Sequence, residues 1–420
     1  MASSQSSFEF SQILEQVRQA SHALALAGCE HQSHALDCMA HGLDSAQDTI
    51  LEANTLDLEA SLEMAVPELV LDWLKLTPER LQHTIKILRR LAALGDPRPL
   101  LQSPMPRLSQ TATGYTQVTP LGVVALVYEA LPELAAIAAG LCIRTGNGLV
   151  LKGGNEASQT NQAIIQVLQQ EIDRAGLNHQ CLWPLTTDQG DAARTWLMQA
   201  RGIDLLIPYG RPTLIQQVMR HATVPVLPIA MGNCYLYWAA SGAEKQVGDL
   251  IVDSHKGSPD AVNAIEKVLI HESHDGASLQ RLWQYLQTYG FSLRGDDAMA
   301  ATYPELTAME SGEWSQPYLS HTVAFQRVVD VAQAVDVINH QSSGHANCLV
   351  SESYREAHYF SQHLQSTAIY INTSPRFTRN PVQAAGIALG MTAQRGRGKG
   401  FIGLEALMTA KHIMQGTIVP

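Results

Sequence analysis

The stretch that determines the fold is PLGVVALVYEALPELAAIAAGLCIRTGNGLVLKGGNEA, residues 120–157. It begins with an apolar run at 121–128, continues with an amphipathic segment at 131–144, and returns to an apolar run, GLVLK, at 148–152. A glycine turn and a further amphipathic segment from Ser158 follow. Short apolar runs separated by helical segments are typical of βαβ units, in which parallel strands are joined by crossover helices.

The same alternation continues toward the C-terminus. As far as VPVLP at 224–228 it predicts one parallel sheet. A second cycle begins near Val247 and includes KVLIH at 267–271, which we expect to follow a helix that contains Asn263 and Ile265. Later runs of the same kind are FSLRG, TVAFQRVV, NCLVS and AIYINTS. The sequence therefore predicts two α/β domains, each a parallel sheet with helices on both faces.

The first hundred residues have a helical pattern. Its clearest case starts with Thr77 as N-cap and Pro78 at the first helical position, and it ends at 95–97, the run Gly-Asp-Pro. Segment 108–119, LSQTATGYTQVT, instead alternates polar and β-prone residues around Gly114, which predicts an exposed hairpin or arm. Because an unpaired strand edge tends to associate, we expect this arm to take part in oligomerisation.

Composition and charge limit the classes of partner. Lys plus Arg number 28 and Asp plus Glu 39, so the net charge is −11, which argues against nucleic acid and anionic membranes. The most apolar stretch, 121–143, is interrupted by Glu129, Pro132 and Glu133, so we expect no membrane span. The six cysteines have no regular spacing and the N-terminus lacks a signal-peptide pattern, which predicts a cytoplasmic protein with free thiols.

The glycine turn after the second strand is the first candidate site. Backbone amides at the start of the following helix, capped by Asn155 and beginning near Glu156, are suited to hold a phosphate, and Lys152 to hold a ribose or a second phosphate. The alternative is an ordinary βα turn that uses Gly153 and Gly154, since the GxGxxG fingerprint is absent.

Three other features of the sequence allow either a functional or a structural interpretation. The basic run RGRGKGF at 395–401 is either an anion cradle or a solvated loop. His345 lies in a turn-like context without metal-ligand spacing, so we expect no bound metal. Cys234 follows a glycine turn at the start of a strand-like run, where it is either a nucleophile or a buried apolar residue.

Several blocks resemble gamma-glutamyl phosphate reductase, or glutamate-5-semialdehyde dehydrogenase. These are residues 120–157 and, in the same order, ATVPVLPIAMGNCYLY, AVNAIEKVLIHES, SSGHANCLVSESY, AIYINTSPRFT and GLEALMTAKHIMQG. The resemblance implies an aldehyde-dehydrogenase-like fold of two Rossmann-type domains and a small oligomerisation element of strands. It further implies NADPH-dependent reduction of an acyl phosphate in proline biosynthesis through a cysteine thioester.

The resemblance fails at the residue that carries this chemistry. The family nucleophile precedes the Asn-Ala pair, where this chain has Val262 before Asn263, and a valine cannot form a thioester. The family carries a cysteine at the position of Cys234 in addition to its nucleophile. Ala130 and Leu131 replace a Ser-Arg pair, so an oxyanion-side hydroxyl and an anion-binding guanidinium are missing as well.

Further polar positions differ from the family pattern. Glu133 replaces an asparagine and adds negative charge on the side where an anionic substrate would approach. Pro317 stands where the family has an acid suited to a ribose, and Pro228 with Ile229 replace a Glu-Thr pair. Residues 384–388 replace a glycine-rich stretch that includes a glutamate. Residues 152–156 keep the family pattern, so we expect the adenosine side of an NADPH site to be better retained than the nicotinamide side.

The resemblance also implies substrate-binding roles for Asn233, Ser374 and Arg376. It divides the chain into a nucleotide-binding domain at 1–240, which includes the arm at 108–119, a catalytic-type domain at 241–380 and a C-terminal oligomerisation segment at 381–420. We expect an oxidoreductase-like pseudoenzyme that acts as a nucleotide-binding, regulatory or structural homo-oligomer, a dimer or tetramer. An active reductase, a different non-covalent enzyme, and mixed assembly with an active homologue remain alternatives.

Overall fold

A computed structural model of the chain describes residues 2–98, 100–101, 112–185, 190–257, 259–310, 312–382, 386–394 and 400–416. The chain divides into two compact units. The first comprises residues 1–229, 379–389 and 401–420, and the second comprises residues 230–378 and 390–400. Each unit has its own parallel sheet, which confirms the α/β prediction.

The first unit begins with helices and continues with alternating strands and helices. Its helices are α1 (Ala2–Leu26), α2 (Gly28–Ser45), α3 (Gln47–Glu63), α4 (Glu68–Leu74), α5 (Pro78–Ala93), α6 (Glu133–Thr145), α7 (Ser158–Arg174), α8 (Gly190–Gln199) and α9 (Pro212–His221). Its strands up to that point are β1 (Leu100–Leu101), β2 (Ala112–Pro120), β3 (Val123–Tyr128), β4 (Gly148–Gly153), β5 (Leu182–Pro184) and β6 (Leu205–Tyr209). The parallel sheet has the strand order β5-β4-β3-β6.

The second unit continues the alternation. Its strands are β7 (Cys234–Trp238), β8 (Ile265–His271), β9 (Ser292–Gly295), β10 (Thr307–Ala308), β11 (Thr322–Val328), β12 (Ala346–Val350) and β13 (Ala368–Ile371). Its helices are α10 (Glu244–Ser254), α11 (Gly276–Thr288), α12 (Asp297–Thr302), α13 (Val331–Gln341) and α14 (Tyr354–His363). The strand order is β10-β9-β11-β8-β7-β12-β13. The chain ends with β14 (Ala388–Thr392), β15 (Gly400–Gly403) and β16 (Met408–Gly416).

The cores follow from the apolar runs. Every residue of β3, from Val123 to Tyr128, is buried, and so is every residue of α6 behind it. A strand that is apolar on both faces needs helices on both faces of its sheet, which the alternating segments supply. The predicted helix cap is confirmed, because the Thr77 hydroxyl accepts a hydrogen bond from the Arg80 amide at 3.3 Å.

The polar segment before β3 forms a long strand. Residues 112–120 are one continuous strand, so the hairpin around Gly114 is wrong, while residues 108–111 lie outside the described range. Gly114 pairs with Met414, and β2 lies between β1 and β16 in an antiparallel sheet. The segment thus pairs with the C-terminal strand of its own chain. Among the described helices, none combines the length and apolarity that crossing a bilayer requires.

Two boundaries differ from the sequence predictions. The N-terminal segment of the first unit ends at Ile229 rather than at residue 240, because β7 pairs with β8 and β12 in the second sheet. The C-terminal segment is divided between both units instead of standing alone. The expected helix over Asn263 is also wrong: α10 ends at Ser254, and Gly257 and Pro259 follow in a turn region before β8.

Candidate functional site

Val262 lies in the turn immediately before β8 and is buried. Its carbonyl accepts hydrogen bonds from the Gly232 amide and from Nε2 of His345, both at 2.9 Å. Its own amide donates to the Asp260 carbonyl at 3.0 Å. The backbone at this position is therefore fixed by three hydrogen bonds, while the side chain presents only methyl groups.

Cys234 and His345 lie beside this position. The Cys234 Sγ is 3.4 Å from Nε2 of His345, and both residues are fully buried. Burial raises the pKa of the Cys234 thiol well above its ordinary value and lowers the pKa of His345 to about 4. Because the imidazole is neutral at pH 7 and its Nε2 faces the Val262 carbonyl, it neither stabilises a thiolate nor removes the thiol proton.

The asparagine side chains near Val262 hold loops. The Asn263 amide donates to the Pro375 carbonyl at 2.7 Å, and the Asn233 amide donates to the Gln341 carbonyl at 2.8 Å. Asn233 has a φ of 53°, in the left-handed region where asparagine is one of the few tolerated side chains. The NH2 group of each of these side chains is therefore engaged within the second unit.

Sequence reasoning missed a buried ion pair on β8. The Glu266 carboxylate accepts hydrogen bonds from the backbone amides of Asn233, Tyr318 and Leu319 at 2.8–2.9 Å, and it lies 3.8 Å from the Lys267 ammonium. A register shift against β7 at Cys234 brings these consecutive side chains close together, as expected of a β-bulge. The available signal was two adjacent charges in the otherwise apolar strand IEKVLIH.

Burial dominates the electrostatics of this pair. Both side chains are fully buried, and burial lowers the pKa of Lys267 to about 8 and raises the pKa of Glu266. The Lys267 ammonium also donates to the Gln316 carbonyl at 3.2 Å and lies 3.6 Å from the centre of the Tyr318 ring. The pair therefore anchors the loop that contains Pro317.

Ser374 and Arg376 meet at one carboxylate. The Ser374 hydroxyl donates to Asp253 at 2.7 Å, and the Arg376 guanidinium and the Lys256 ammonium lie 3.7 and 3.6 Å from the same carboxylate. Arg376 is 46% exposed, so this cluster is screened by solvent. The structure thus gives the two residues a common partner that the sequence did not reveal.

The glycine turn of the first unit is organised differently from the predicted phosphate cradle. Residues 155–157 form a short 3-10 turn before α7, and Asn155 does not cap it. Instead the Asp57 carboxylate, from α3, accepts hydrogen bonds from the Gln159 and Thr160 amides at 3.1 and 2.8 Å. An internal carboxylate thus occupies the N-terminus of α7 that was expected to hold a phosphate.

Glu156 folds back over the turn. Its Oε1 accepts a hydrogen bond from the Ala130 amide at 2.7 Å, and a Cβ on Gly154 would approach that oxygen to 2.0 Å. Gly154 is therefore required for this close contact. Lys152 is buried and donates to the Gly153 carbonyl at 3.1 Å. Glu156, which the sequence placed in the cofactor-binding group at 152–156, thus contacts protein backbone.

Glu133 forms an internal ion pair, which corrects the expectation that it adds an unpaired negative charge. Its carboxylate accepts hydrogen bonds from the Arg80 guanidinium, at 2.5 Å from Nη2 and 3.2 Å from Nε. The two side chains are only 6% and 11% exposed, so this internal ion pair neutralises the carboxylate. Ala130 and Leu131 precede it and are both fully buried. Glu133 therefore does not repel an anionic ligand in the way that the sequence suggested.

A cavity of about 460 Å³ lies between α7 and the carboxyl ends of β4 and β5. Leu151, Ile165 and Pro184 supply apolar wall, and Gln162, Gln166 and Gln169 project from one face of α7. Because its described lining includes no charged side chain, we call it the neutral cavity. Its volume lies within the range of small-molecule sites.

A second cavity, of about 290 Å³, shares part of the glycine turn with the neutral cavity. We call it the charged cavity, because Glu129, Lys152, Glu156, Arg194 and Arg211 line it. Glu129 accepts hydrogen bonds from the backbone amide of Arg211 at 2.8 Å and from its guanidinium at 3.2 Å. Arg211 is the N-cap of α9, so a second helix N-terminus is occupied by an internal carboxylate.

Some predicted features lie outside the described residues. These are residues 395–399 of the basic run, as well as Ala384 and Ala385. Among the described residues, no cluster of three His, Cys, Asp or Glu side chains is arranged to hold a metal ion.

Comparisons with known proteins give one consistent picture, although no family model matches the chain. The chain is 44% identical over 407 residues to gamma-glutamyl phosphate reductase 2 of Synechocystis sp., covering 96% of each chain. The crystal structure of gamma-glutamyl phosphate reductase from Thermotoga maritima is similar with a TM-score of 0.88 at 27% identity, covering 97% of this chain and 99% of that one. A probable aldehyde dehydrogenase from Listeria monocytogenes, 14% identical, shares the fold with a TM-score of 0.71, covering 100% of this chain and 99% of that one.

Proposed function

The chain belongs to the gamma-glutamyl phosphate reductase family, and we propose that it is a member that has lost the family's cysteine-dependent chemistry. In this proposal it keeps the fold and a nucleotide-type site and acts as a binding or regulatory subunit. One observation carries the proposal: the side chain at the family's nucleophile position is the isopropyl group of Val262.

Reduction of an acyl phosphate through a thioester requires a thiolate that attacks the acyl carbon and expels phosphate. Valine has no lone pair with which to attack. The hydrogen bonds from Gly232 and His345 to the Val262 carbonyl hold the backbone of this turn. The change is therefore confined to the chemistry of one side chain and does not require a different local fold.

The thiols of Cys234 and Cys348 in the second unit are poor substitutes for the missing nucleophile. Cys234 and Cys348 are fully buried, and burial raises both thiol pKa values far above neutrality. His345, the nearest imidazole to Cys234, is held neutral by burial at pH 7. A buried thiol beside a neutral imidazole remains protonated, so it lacks the reactivity that covalent catalysis requires.

The oxyanion side is altered as well. Ala130 and Leu131 bring neither a hydroxyl nor a guanidinium, and the Ala130 amide already donates to Glu156 at 2.7 Å. A backbone donor that is committed to an internal carboxylate gives little stabilisation to a developing oxyanion. These changes support loss of the reaction independently of Val262.

A nicotinamide dinucleotide is the cofactor that the resemblance implies, and when bound it supplies or accepts hydride. The neutral cavity fits its adenosine half, because apolar walls are combined with the amides of Gln162 and Gln166. Lys152 and the glycines at 153–154 would border the ribose. We therefore retain nucleotide binding in the proposed function, with the adenosine half as the better preserved part.

We also propose homo-oligomerisation through the antiparallel sheet, with mixed assembly with an active homologue as an alternative. In the described part of that sheet β16 is an edge strand of residues 408–416, and Met414 on it is 45% exposed. A long edge with unpaired backbone groups is a template for a further strand. Size-exclusion chromatography with light scattering would test this by giving a mass above that of one chain.

The main test is an activity assay. Purified protein with glutamate semialdehyde, phosphate and NADP is expected to form no NADPH above background, because the family's nucleophile position carries no thiol to form the thioester. The Thermotoga maritima reductase, assayed in parallel, is the positive control. Turnover by this chain that thiol alkylation abolishes would contradict the proposal and show an active reductase. Turnover that resists alkylation would instead support different, non-covalent chemistry.

A cysteine at position 262 is expected not to be sufficient. Val262→Cys should leave activity at background, because Ala130 and Leu131 still lack the family's polar groups and burial opposes ionisation of the new thiol. Mass spectrometry after brief treatment with a thiol reagent should show slow modification at 262 relative to Cys38. Recovery of full activity by this single substitution would show that the changes at 130 and 131 are peripheral.

A further inference from the structure

We propose that the neutral cavity binds an uncharged heteroaromatic ligand of the adenosine class, and that phosphate groups on the ligand add little affinity. The inference rests on the nucleotide-type site of the proposed function and specifies its ligand. A dinucleotide or phosphate site normally gains affinity from helix N-termini and cationic side chains. In this chain two such helix N-termini, those of α7 and α9, are already engaged by internal carboxylates.

The first source is the N-terminus of α7. Asp57 is 3% exposed and accepts two backbone hydrogen bonds there, as well as one of 2.6 Å from the Thr160 hydroxyl. A carboxylate with three donors satisfies the partial positive charge of the helix end. A ligand phosphate would have to displace a buried anion to use the same amides.

The second source is the N-terminus of α9. The Glu129 carboxylate accepts hydrogen bonds from both the backbone amide and the guanidinium of Arg211. A Cβ on Gly210 would lie 2.7 Å from Oε2 of Glu129. The carboxylate therefore fills the space in front of this helix. Together Glu129 and Glu156 place two negative charges in the charged cavity against three positive ones, which leaves weak net attraction for phosphate.

The neutral cavity has the opposite character. Its described lining includes no charged group, and Gln162, Gln166 and Gln169 follow one another at intervals of four and three along one face of α7. Gln169 donates to the Leu182 carbonyl at 2.8 Å, which fixes its position. Side-chain amides combine a donor and an acceptor, the pattern that pairs with the edge of adenine. Apolar contacts from Leu151 and Ile165 suit the faces of a flat ring.

Calorimetric titration with adenosine, ADP, NAD and NADP tests the inference. We expect adenosine to bind, with dissociation constants for the four ligands within about threefold of one another and little dependence on salt. Binding of NADP or ADP at least tenfold tighter than adenosine would overturn the inference while leaving the proposed loss of catalysis intact. Binding of none of them would overturn both the inference and the nucleotide part of the proposed function.

Variants locate the ligand and test the charge argument. Gln166→Trp fills the cavity from an exposed position of α7 and should weaken adenosine binding at least tenfold, whereas Gln170→Trp, exposed on the same helix but outside the lining, should not. Glu129→Gln removes one negative charge from the N-terminus of α9 and should make ADP bind about tenfold tighter than adenosine. Equal weakening by both tryptophans, or no gain for ADP with Glu129→Gln, would contradict the inference.

Discussion

Replacing Glu266 by alanine is expected to destabilise the second unit by about 3–5 kcal/mol, the usual cost of removing one partner from a buried ion pair. The carboxylate accepts hydrogen bonds from three backbone amides, two of which belong to Tyr318 and Leu319, and it lies 3.8 Å from the Lys267 ammonium. The variant leaves the three backbone amides without their acceptor and the Lys267 ammonium without its carboxylate. Hydrogen exchange followed by mass spectrometry on peptides of β7 and β8 should show a correspondingly faster opening.

Two variants separate this effect from the loss of any ion pair. Lys267→Met should cost less, because Glu266 retains its three backbone donors. Glu244→Ala removes a carboxylate that pairs with Arg281 on the surface at 2.8 Å, and it should change stability by no more than about 1 kcal/mol. A loss for Glu266→Ala as small as that for Glu244→Ala would show that the buried carboxylate does not anchor the loop.

Acidification from pH 7.5 to pH 5 is expected to cost about 4 kcal/mol of stability through two buried histidines of the second unit. Burial lowers the pKa values of His255 and His345 to about 4, against 6.5 for the free side chain. Between those values the unfolded state binds more protons than the folded state, so stability is complete above about pH 6.5 and falls as the pH drops toward 4. Each histidine contributes about 2 kcal/mol at pH 5.

Single substitutions show which histidine causes the loss of stability at pH 5. His345→Gln and His255→Gln should each remove about 2 kcal/mol of the difference between pH 7.5 and pH 5, whatever their effect at pH 7.5. Burial also lowers the pKa of His274, which adds a loss of the same sign. Carboxylates whose pKa is lowered, such as Asp275 and Glu313, act only below their ordinary range and do not account for a loss at pH 5. A pH difference that persists unchanged in the variant lacking both imidazoles would contradict the assignment.

Most elements of the fold follow from local sequence. Apolar runs such as GLVLK and VVALVY become β4 and β3, and the helix from Pro78 begins at its predicted cap. Burial of both faces of a strand requires an uninterrupted apolar run, which is visible without coordinates. The helix expected over Asn263 shows the limit of this reasoning, since the short run Ala-Val-Asn-Ala at 261–264 fits a buried turn as well as a helix.

The candidate site could be predicted only in part from the local sequence. Val262 and residues 152–156 were identified from sequence, but their partners were not. Asp57 caps α7 across 103 residues, and Arg80 neutralises Glu133 across 53 residues. Neither pairing has a local signature, because any of several exposed acids or bases in the helical N-terminal region fits the same pattern.

Residue type alone thus establishes which side chain stands at the nucleophile position and which runs of chain enter the two sheets, since both are properties of short segments. The charge that a ligand would meet was settled by folding, because Glu129, Glu156 and Glu133 acquire their partners from elements distant in the chain. The same holds for Cys234 and His345, whose burial governs their ionisation. Electrostatics in a protein interior depends on what surrounds a group, and those surroundings are assembled only in three dimensions.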